Sequence, residues 1–326
     1  MADPDDYESL PASTPLSITC LAGATAGIAE HCVMFPVDSV KTRMQSLSCG
    51  KQQAGMVAVM RTMVQEEGLF RPMKGMNAMA AGAGPAHALY FTALEKTKEH
   101  LVERRNIPEH LASGIAALGA TVVHDAVMTP ADVIKQRMQM CCSPYSSCTN
   151  AAVRILQAEG PRAFYRSYLT QLTMNVPFQA SMFISYGAIQ GFFNPNKEYS
   201  PVIHFVAGAI AGGIGSAVTM PLDVCKTLLN TQEAGVLKQI HRSEVVGLVN
   251  AARVVHQVTG YPGFFQGLSA RILYQAPATA VSWSVYEFFK YYLKGLNSGQ
   301  RDDDQHFETL ADITALTAAA STSSPR

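Results

Sequence analysis

A surplus of positive charge is missing from this chain of 326 residues: 25 lysines and arginines face 25 aspartates and glutamates. Proteins that grip nucleic acid or bulk polyanions carry such a surplus, so no nucleic-acid partner is expected. Charge is scarce of either sign, at 15% of residues against 48% apolar. The first ten residues hold Asp3, Asp5, Asp6 and Glu8 but no lysine or arginine. That composition excludes an amphipathic transit peptide or the basic start of a secretory signal, and places any targeting information inside the chain. Seven cysteines form no CxxC pair and leave one over in any pairing, so a disulfide framework is not expected. Mean hydropathy is only +0.08, low for a membrane protein, which fits amphipathic helices lining a wet cavity together with substantial polar loops.

What the chain does have is a threefold pattern, Pro-x-Asp-x-x-Lys, at Pro36, Asp38 and Lys41, at Pro130, Asp132 and Lys135, and at Pro221, Asp223 and Lys226. The prolines lie 94 and 91 residues apart, so one unit of roughly a hundred residues is used three times. Each copy follows a run of small and apolar residues long enough to cross a bilayer. Six apolar segments are expected, at about 16 to 45, 76 to 100, 110 to 140, 168 to 193, 202 to 230 and 271 to 294. Amphipathic helical stretches sit in the long loops at Val57 to Glu66, Ala151 to Glu159 and Val245 to Val258.

The expected fold is therefore an all-α membrane protein: six transmembrane helices in three pseudo-symmetric two-helix repeats, each with a short amphipathic helix on one side. Boundaries are a tail at 1–15, repeats at 16–104, 105–197 and 198–296, and a polar, disordered tail at 297–326. The three long loops hold sixteen of the 25 basic residues, which puts them on the negative, matrix-like side and both termini on the other. Small residues four apart precede each proline: Gly23 and Gly27, Ala117 and Thr121, Gly208 and Gly212. They allow close helix approach.

Three proline-bent helix ends around an axis bring the Asp of one within reach of the Lys of another, and a ring of such ion pairs makes a gate. Breaking a desolvated pair costs roughly 3–5 kcal/mol. Here the sequence resembles the mitochondrial carrier family over about residues 15 to 295. The second half of that family's signature is carried by Glu67, Gly68, Lys74 and Gly75, by Glu159, Gly160, Tyr165 and Arg166 ending in Ser167, and by Gly260, Phe265 and Gly267. Met73, Thr259 and Gln266 depart from it. The resemblance implies matrix-gate pairs of Asp38 with Lys135, Asp132 with Lys226 and Asp223 with Lys41, braced by Gln45, Gln139 and, more weakly, Asn230. It implies a cytosolic gate of Glu95, Lys98, Glu287 and Lys290, in which Lys98 with Glu287 is the one surviving pair; a weak outer gate and an outward-open resting state are expected.

Carried over from the family, the substrate contacts fall at Gly82, Met174, Asn175 and Gln275, none of them charged. Carriers of anions need fixed positive charge at such points. The cavity offers instead His31, five residues before Pro36, and His87, two after Pro85. The position equivalent to His31 is Asp125, preceded by His124, in the second repeat and Ser216 in the third. Ionisable groups inside membrane helices mark a pathway. Imidazole, carboxylate, amide and the thioethers of Met34, Met128, Met174 and Met220 suit a first-row divalent metal, although these methionines read more readily as packing than as ligands. The strings around His31, His87 and Asn175 resemble the mitoferrin branch, the inner-membrane iron importers, in which histidines matching His31, His87 and His204 are implicated in iron transport.

That likeness implies a monomeric multi-pass importer of ferrous ion, by alternating access, for haem and iron–sulfur cluster synthesis. It needs no cofactor and has no enzyme activity; iron is the cargo, and the bilayer, with cardiolipin as a candidate lipid, is the other partner. A carrier of an organic cation or zwitterion such as S-adenosylmethionine is the alternative. Thiolate ligation by Cys141, Cys142 and Cys148 is open. Neutral imidazoles must bind the ion, so uptake is expected to fall as external pH drops below about 6.5.

Overall fold

The computed structural model describes residues 16–47, 55–105, 108–141, 143–193, 201–275 and 278; within these ranges the side chains of 16–23, 26, 103, 109, 110, 183 and 201–205 are not described. The described residues are helical, without a strand among them. Long helices α1 (Leu16–Gln45), α3 (Met76–Glu99), α4 (Glu109–Gln139), α6 (Tyr168–Phe193) and α7 (Pro201–Thr231) alternate with α2 (Met56–Glu67), α5 (Cys148–Glu159), the short α8 (Ala234–Gln239) and α9 (Leu248–Thr259). A final helix, α10, begins at 268–275. The first five apolar runs of the sequence thus become helices within a few residues of their expected ends; the sixth, expected at about 271 to 294, is helical at 268–275, and its expected end lies outside the described residues. The amphipathic stretch expected from Val245 begins instead at Leu248, because the Val245 backbone N–H donates to Gln232 Oε1 at 2.9 Å and Gly247 turns the chain at φ +84°.

Prolines 36, 130 and 221 sit inside α1, α4 and α7, and the helices continue past them. Each proline removes one backbone donor and bends its helix. Thr129, immediately before Pro130, and Thr219, two residues before Pro221, turn their hydroxyls back onto the carbonyls of Asp125 (2.5 Å) and Gly215 (2.8 Å), which favours the same bend. After α2, α5 and α9 the chain makes a proline-led 3₁₀ turn, at Arg71–Met73, Pro161–Tyr165 and Tyr261–Phe265. Glycines 75 and 267 then take left-handed backbone, at φ +102° and +79°. A Cβ on Gly75 would meet the Lys135 backbone at 3.4 Å, and one on Gly267 would meet Gln45 Cγ at 3.0 Å, so each glycine lets the start of an even helix lie against the end of a proline helix. Ser167, at the equivalent point of the second repeat, has no left-handed turn and needs no glycine.

Each proline helix is tied to its loop helix. Arg43 forms a bidentate pair with Glu67, which also meets Arg71, and Arg137 forms the same pair with Glu159, which also meets Arg166. In the third repeat Leu228 stands where the arginine would be and Thr259 where the glutamate would be. An apolar plug of Leu228, Leu229, Val236, Val254 and Val255 joins α7 to α9 there. Arg43 and Arg137 also donate to the carbonyls of Gln139 (2.9 Å) and Asn230 (2.8 Å), linking repeat one to two and two to three. With Leu228 unable to donate, the third link runs the other way: Glu233 accepts from the Leu47 N–H at 2.9 Å and from Ser46 Oγ at 3.1 Å.

Large apolar side chains stand exposed in rows four or three apart, at Leu111, Ile115, Leu118 and Val122 on α4 and at Val206, Ile210, Ile214 and Val218 on α7. Alanines 112, 116, 120, 207 and 211 bury the opposite faces. These two helices, at Leu111–Gln139 and Val206–Thr231, are the ones among the described residues long and apolar enough to cross a membrane. The other long helices spend length on polar side chains, such as Glu95, Lys96, Lys98 and Glu99 on α3.

Candidate functional site

The C-terminal halves of α1, α4 and α7 converge through their repeated acids and lysines. Lys135 Nζ lies 2.8 Å from Asp38, Lys226 Nζ 2.7 Å from Asp132 and Lys41 Nζ 3.1 Å from Asp223, so the three cyclic pairs are closed. Lys135 also reaches Asp132 at 3.7 Å. Two of the three amides stand beside these pairs. Gln45 donates to Asp223 at 2.6 Å and accepts from Thr227, while Gln139 donates to Asp38 at 3.3 Å and accepts from Thr42. Asn230, one methylene shorter, bonds Gln136 at 3.0 Å instead.

A second polar group is formed by His31 and Asp125, each five residues before a repeat proline, with His87, His124 and Asn175. The ring centroids of His31 and His87 are 5.9 Å apart, and those of His87 and His124 are 4.9 Å apart. Asp125 is buried, takes 2.7 Å from Asn175 Nδ2 and faces His124 Nδ1 at 3.1 Å. Gly27 is what admits His87: an added Cβ would fall 2.1 Å from the ring's Cδ2 and 2.4 Å from Nε2. Among the described residues no three His, Cys, Asp or Glu side chains are placed to hold a metal ion together.

Other expected site residues fall elsewhere. Gly82 is a packing contact rather than part of the polar group, since a Cβ there would meet Ala131 Cβ at 2.5 Å. Met174 is buried, with its sulfur 3.8 Å from a donor nitrogen of Arg271, and Met34, Met128 and Met220 are core residues. Gln275 packs against Gly212. Glu95 is exposed and Lys98 half-buried on α3; Glu287 and Lys290 lie outside the described residues, as does the side chain of His204. Cys141 is disulfide-bonded, whereas Cys32, Cys148 and Cys225 are free. A disulfide was not expected, and it removes Cys141 as a thiolate ligand in this state.

A family model described as mitochondrial carrier protein matches residues 13–105, 106–197 and 197–297. The chain belongs to the mitochondrial carrier family. Mitoferrin-1 of Danio rerio is 53% identical over 294 residues, covering 89% of each chain. Mitoferrin-2 of Homo sapiens is 51% identical over 296 residues, covering 89% of this chain and 81% of the relative. Mitoferrin of Caenorhabditis briggsae is 49% identical over 298 residues, covering 89% and 96%. As a mitochondrial carrier built of three repeats, the protein is a transporter and not an enzyme.

Two residues of this carrier's polar interior were not singled out by the sequence. Arg271 of α10 lies 3.3 Å from Asp223 and donates to Thr219 Oγ1 at 2.9 Å. A lone arginine near the start of the last apolar run was the available signal. His124 was visible only as the neighbour of Asp125, yet its ring bridges that carboxylate and His87. Arg271 thus shares Asp223 with Lys41.

Proposed function

We propose that the protein is a six-span carrier of the inner mitochondrial membrane that imports ferrous iron into the matrix by alternating access, supplying haem and iron–sulfur cluster synthesis. The observation that carries this reading is the grouping of His31, His87, Asp125 and Asn175 inside apolar helices, above a closed ring of ion pairs. Imidazole and amide donors favour a first-row metal over magnesium or calcium. The approximately half-identical mitoferrins support the same assignment. The exposed apolar rows on α4 and α7 support lipid contact.

In this reading the Asp38–Lys135, Asp132–Lys226 and Asp223–Lys41 pairs form the matrix gate, α2, α5 and α9 lie on the matrix side, and both termini face the intermembrane space. Glu95, Lys98, Glu287 and Lys290 form the cytosolic gate. Ferrous ion enters past His87 and Asn175 and moves on towards His31 and Asp125 as the matrix gate opens, with His204 at the outer end of α7. The repeats act as one monomeric unit, at about 16–104, 105–197 and 198–296. The bilayer, with cardiolipin as a candidate lipid, is the other partner.

The test is uptake of radioactive Fe²⁺ into liposomes holding the purified chain, with Mn²⁺, Zn²⁺, Cu²⁺ and S-adenosylmethionine as competitors and as alternative cargoes. Saturable iron uptake, blocked by competing first-row metals, is expected. Transport of S-adenosylmethionine without iron uptake would refute the reading.

A further inference from the structure

We propose that His87 and His124 form the metal-binding pair of this path, with Asp125 serving as the carboxylate that orients His124 rather than as a ligand itself. The proposal rests on the iron reading above, adds His124 to its donors and makes Asp125 a support for that ring in place of a ligand. The two rings approach at 4.9 Å between centroids and 70° between planes, from α3 and α4. Nε2 of His87 and Nε2 of His124 are both buried and lack a hydrogen-bond partner. A buried polar atom left without a partner is a cost that calls for an explanation, and metal binding at these nitrogens would supply one.

The far side of His124 is built accordingly. Its Nδ1 faces Asp125 Oδ1 at 3.1 Å, where a protonated Nδ1 donates to the carboxylate and leaves Nε2 as the ring atom that can take a metal. The other carboxylate oxygen accepts from Asn175 at 2.7 Å, and Asn175 accepts in turn from Gln171 at 3.1 Å. Both oxygens of Asp125 are thus occupied. Carboxylate, histidine and metal in line is the arrangement by which outer-shell acids fix a ligating ring. On the other side, the missing Cβ of Gly27 leaves the space that the His87 ring fills, and His31 stands 5.9 Å further on as the next donor. With two protein donors and no third His, Cys, Asp or Glu in reach among the described residues, water completes the shell. Such a site holds a borderline divalent ion such as Fe²⁺ and still releases it.

The experiment uses the full chain and three variants, His124→Ala, His124→Gln and Asp125→Asn. It reads the rise in thermal stability on adding anaerobic Fe²⁺ in detergent, which reports binding, and Fe²⁺ uptake in liposomes. Both histidine variants are expected to weaken binding about tenfold or more and to lose uptake; Asp125→Asn is expected to weaken binding by ~10–100-fold, as for other lost outer-shell partners. Wild-type binding and uptake by His124→Gln would overturn the proposal, because glutamine keeps a hydrogen-bonding group but not the ring. Should His124→Ala fail to fold, the other two variants decide. An unsubstituted chain that takes up no iron would overturn the transport reading itself, an outcome separate from normal uptake by His124→Gln.

Discussion

The three gate pairs differ in how replaceable their lysines are, and Lys41→Ala against Lys135→Ala measures the difference. Lys135 makes the one ion pair of Asp38 among the described residues, at 2.8 Å, and also approaches Asp132. Its removal leaves Asp38 with Gln139 Nε2 at 3.3 Å as the remaining polar contact. An uncompensated buried carboxylate costs about 3–5 kcal/mol. Asp223 is better supplied: without Lys41 it keeps Gln45 at 2.6 Å and Arg271 at 3.3 Å. Loss of Lys41 is then loss of one hydrogen bond to a charged group, about 1.5–3 kcal/mol. At the middle of the two ranges the gap is about 1.7 kcal/mol, which corresponds to roughly twentyfold in the closed population. Cys225, 1% exposed in the third repeat's core, is a thiol that reports unfolding when a maleimide dye is present during heating. With the other cysteines replaced by serine, Lys135→Ala is expected to melt several degrees below Lys41→Ala. Equal melting, or the reverse order, refutes the argument. So does an Asp38→Asn/Lys135→Gln double variant whose loss equals the sum of the singles within about 0.5 kcal/mol.

Gly27→Ala places a methyl where the His87 ring now lies, so iron uptake is expected to fall at least tenfold with little change in melting temperature; normal uptake would show that the ring position is immaterial. Burial by itself would raise the Glu67 pKa, but hydrogen bonds from Arg43 and Arg71 outweigh it and hold the carboxyl below the ordinary range; Glu159 is held down by Arg137 and Arg166 in the same way. The stability these glutamates contribute is therefore complete above the ordinary glutamate value of about 4.3 and is lost as pH falls through the lowered value. Melting temperature followed from pH 6 to 3 is expected to drop less in Glu67→Gln than in the unsubstituted chain. Leu228→Ala opens a cavity in the plug between α7 and α9 and is expected to cost about 2–5 kcal/mol, read as a lower melting temperature at unchanged Fe²⁺ affinity.

The proline pattern made much of the scaffold legible, because a residue that removes a donor and bends a helix marks the same structural point in each repeat. The pattern itself holds the lysines and acids of the ring, and the family resemblance supplied their pairing and the glutamines beside them. The pattern reaches less far where the outcome depends on which way a side chain turns. Gly82, carried over from the family as a substrate contact, lies against Ala131. The pattern passed over His124, whose position matters through the ring's contact with a neighbouring helix, and Arg271, which belongs to no repeated pattern. Asn230 was the intermediate case: the correct place, with a side chain too short for the contact.

The exchange of Arg and Glu for Leu228 and Thr259 gives the carrier joints of two physical kinds. The guanidinium–carboxylate joints of the first two repeats are directional and yield abruptly once their geometry is lost. The apolar plug of the third has no preferred direction and lets helices slide. Salt acts on them with opposite sign. Added ions screen the partly exposed glutamates, while sulfate strengthens apolar contact. The third arm, without an arginine–glutamate pair, is therefore the one whose compliance rests most on apolar contact.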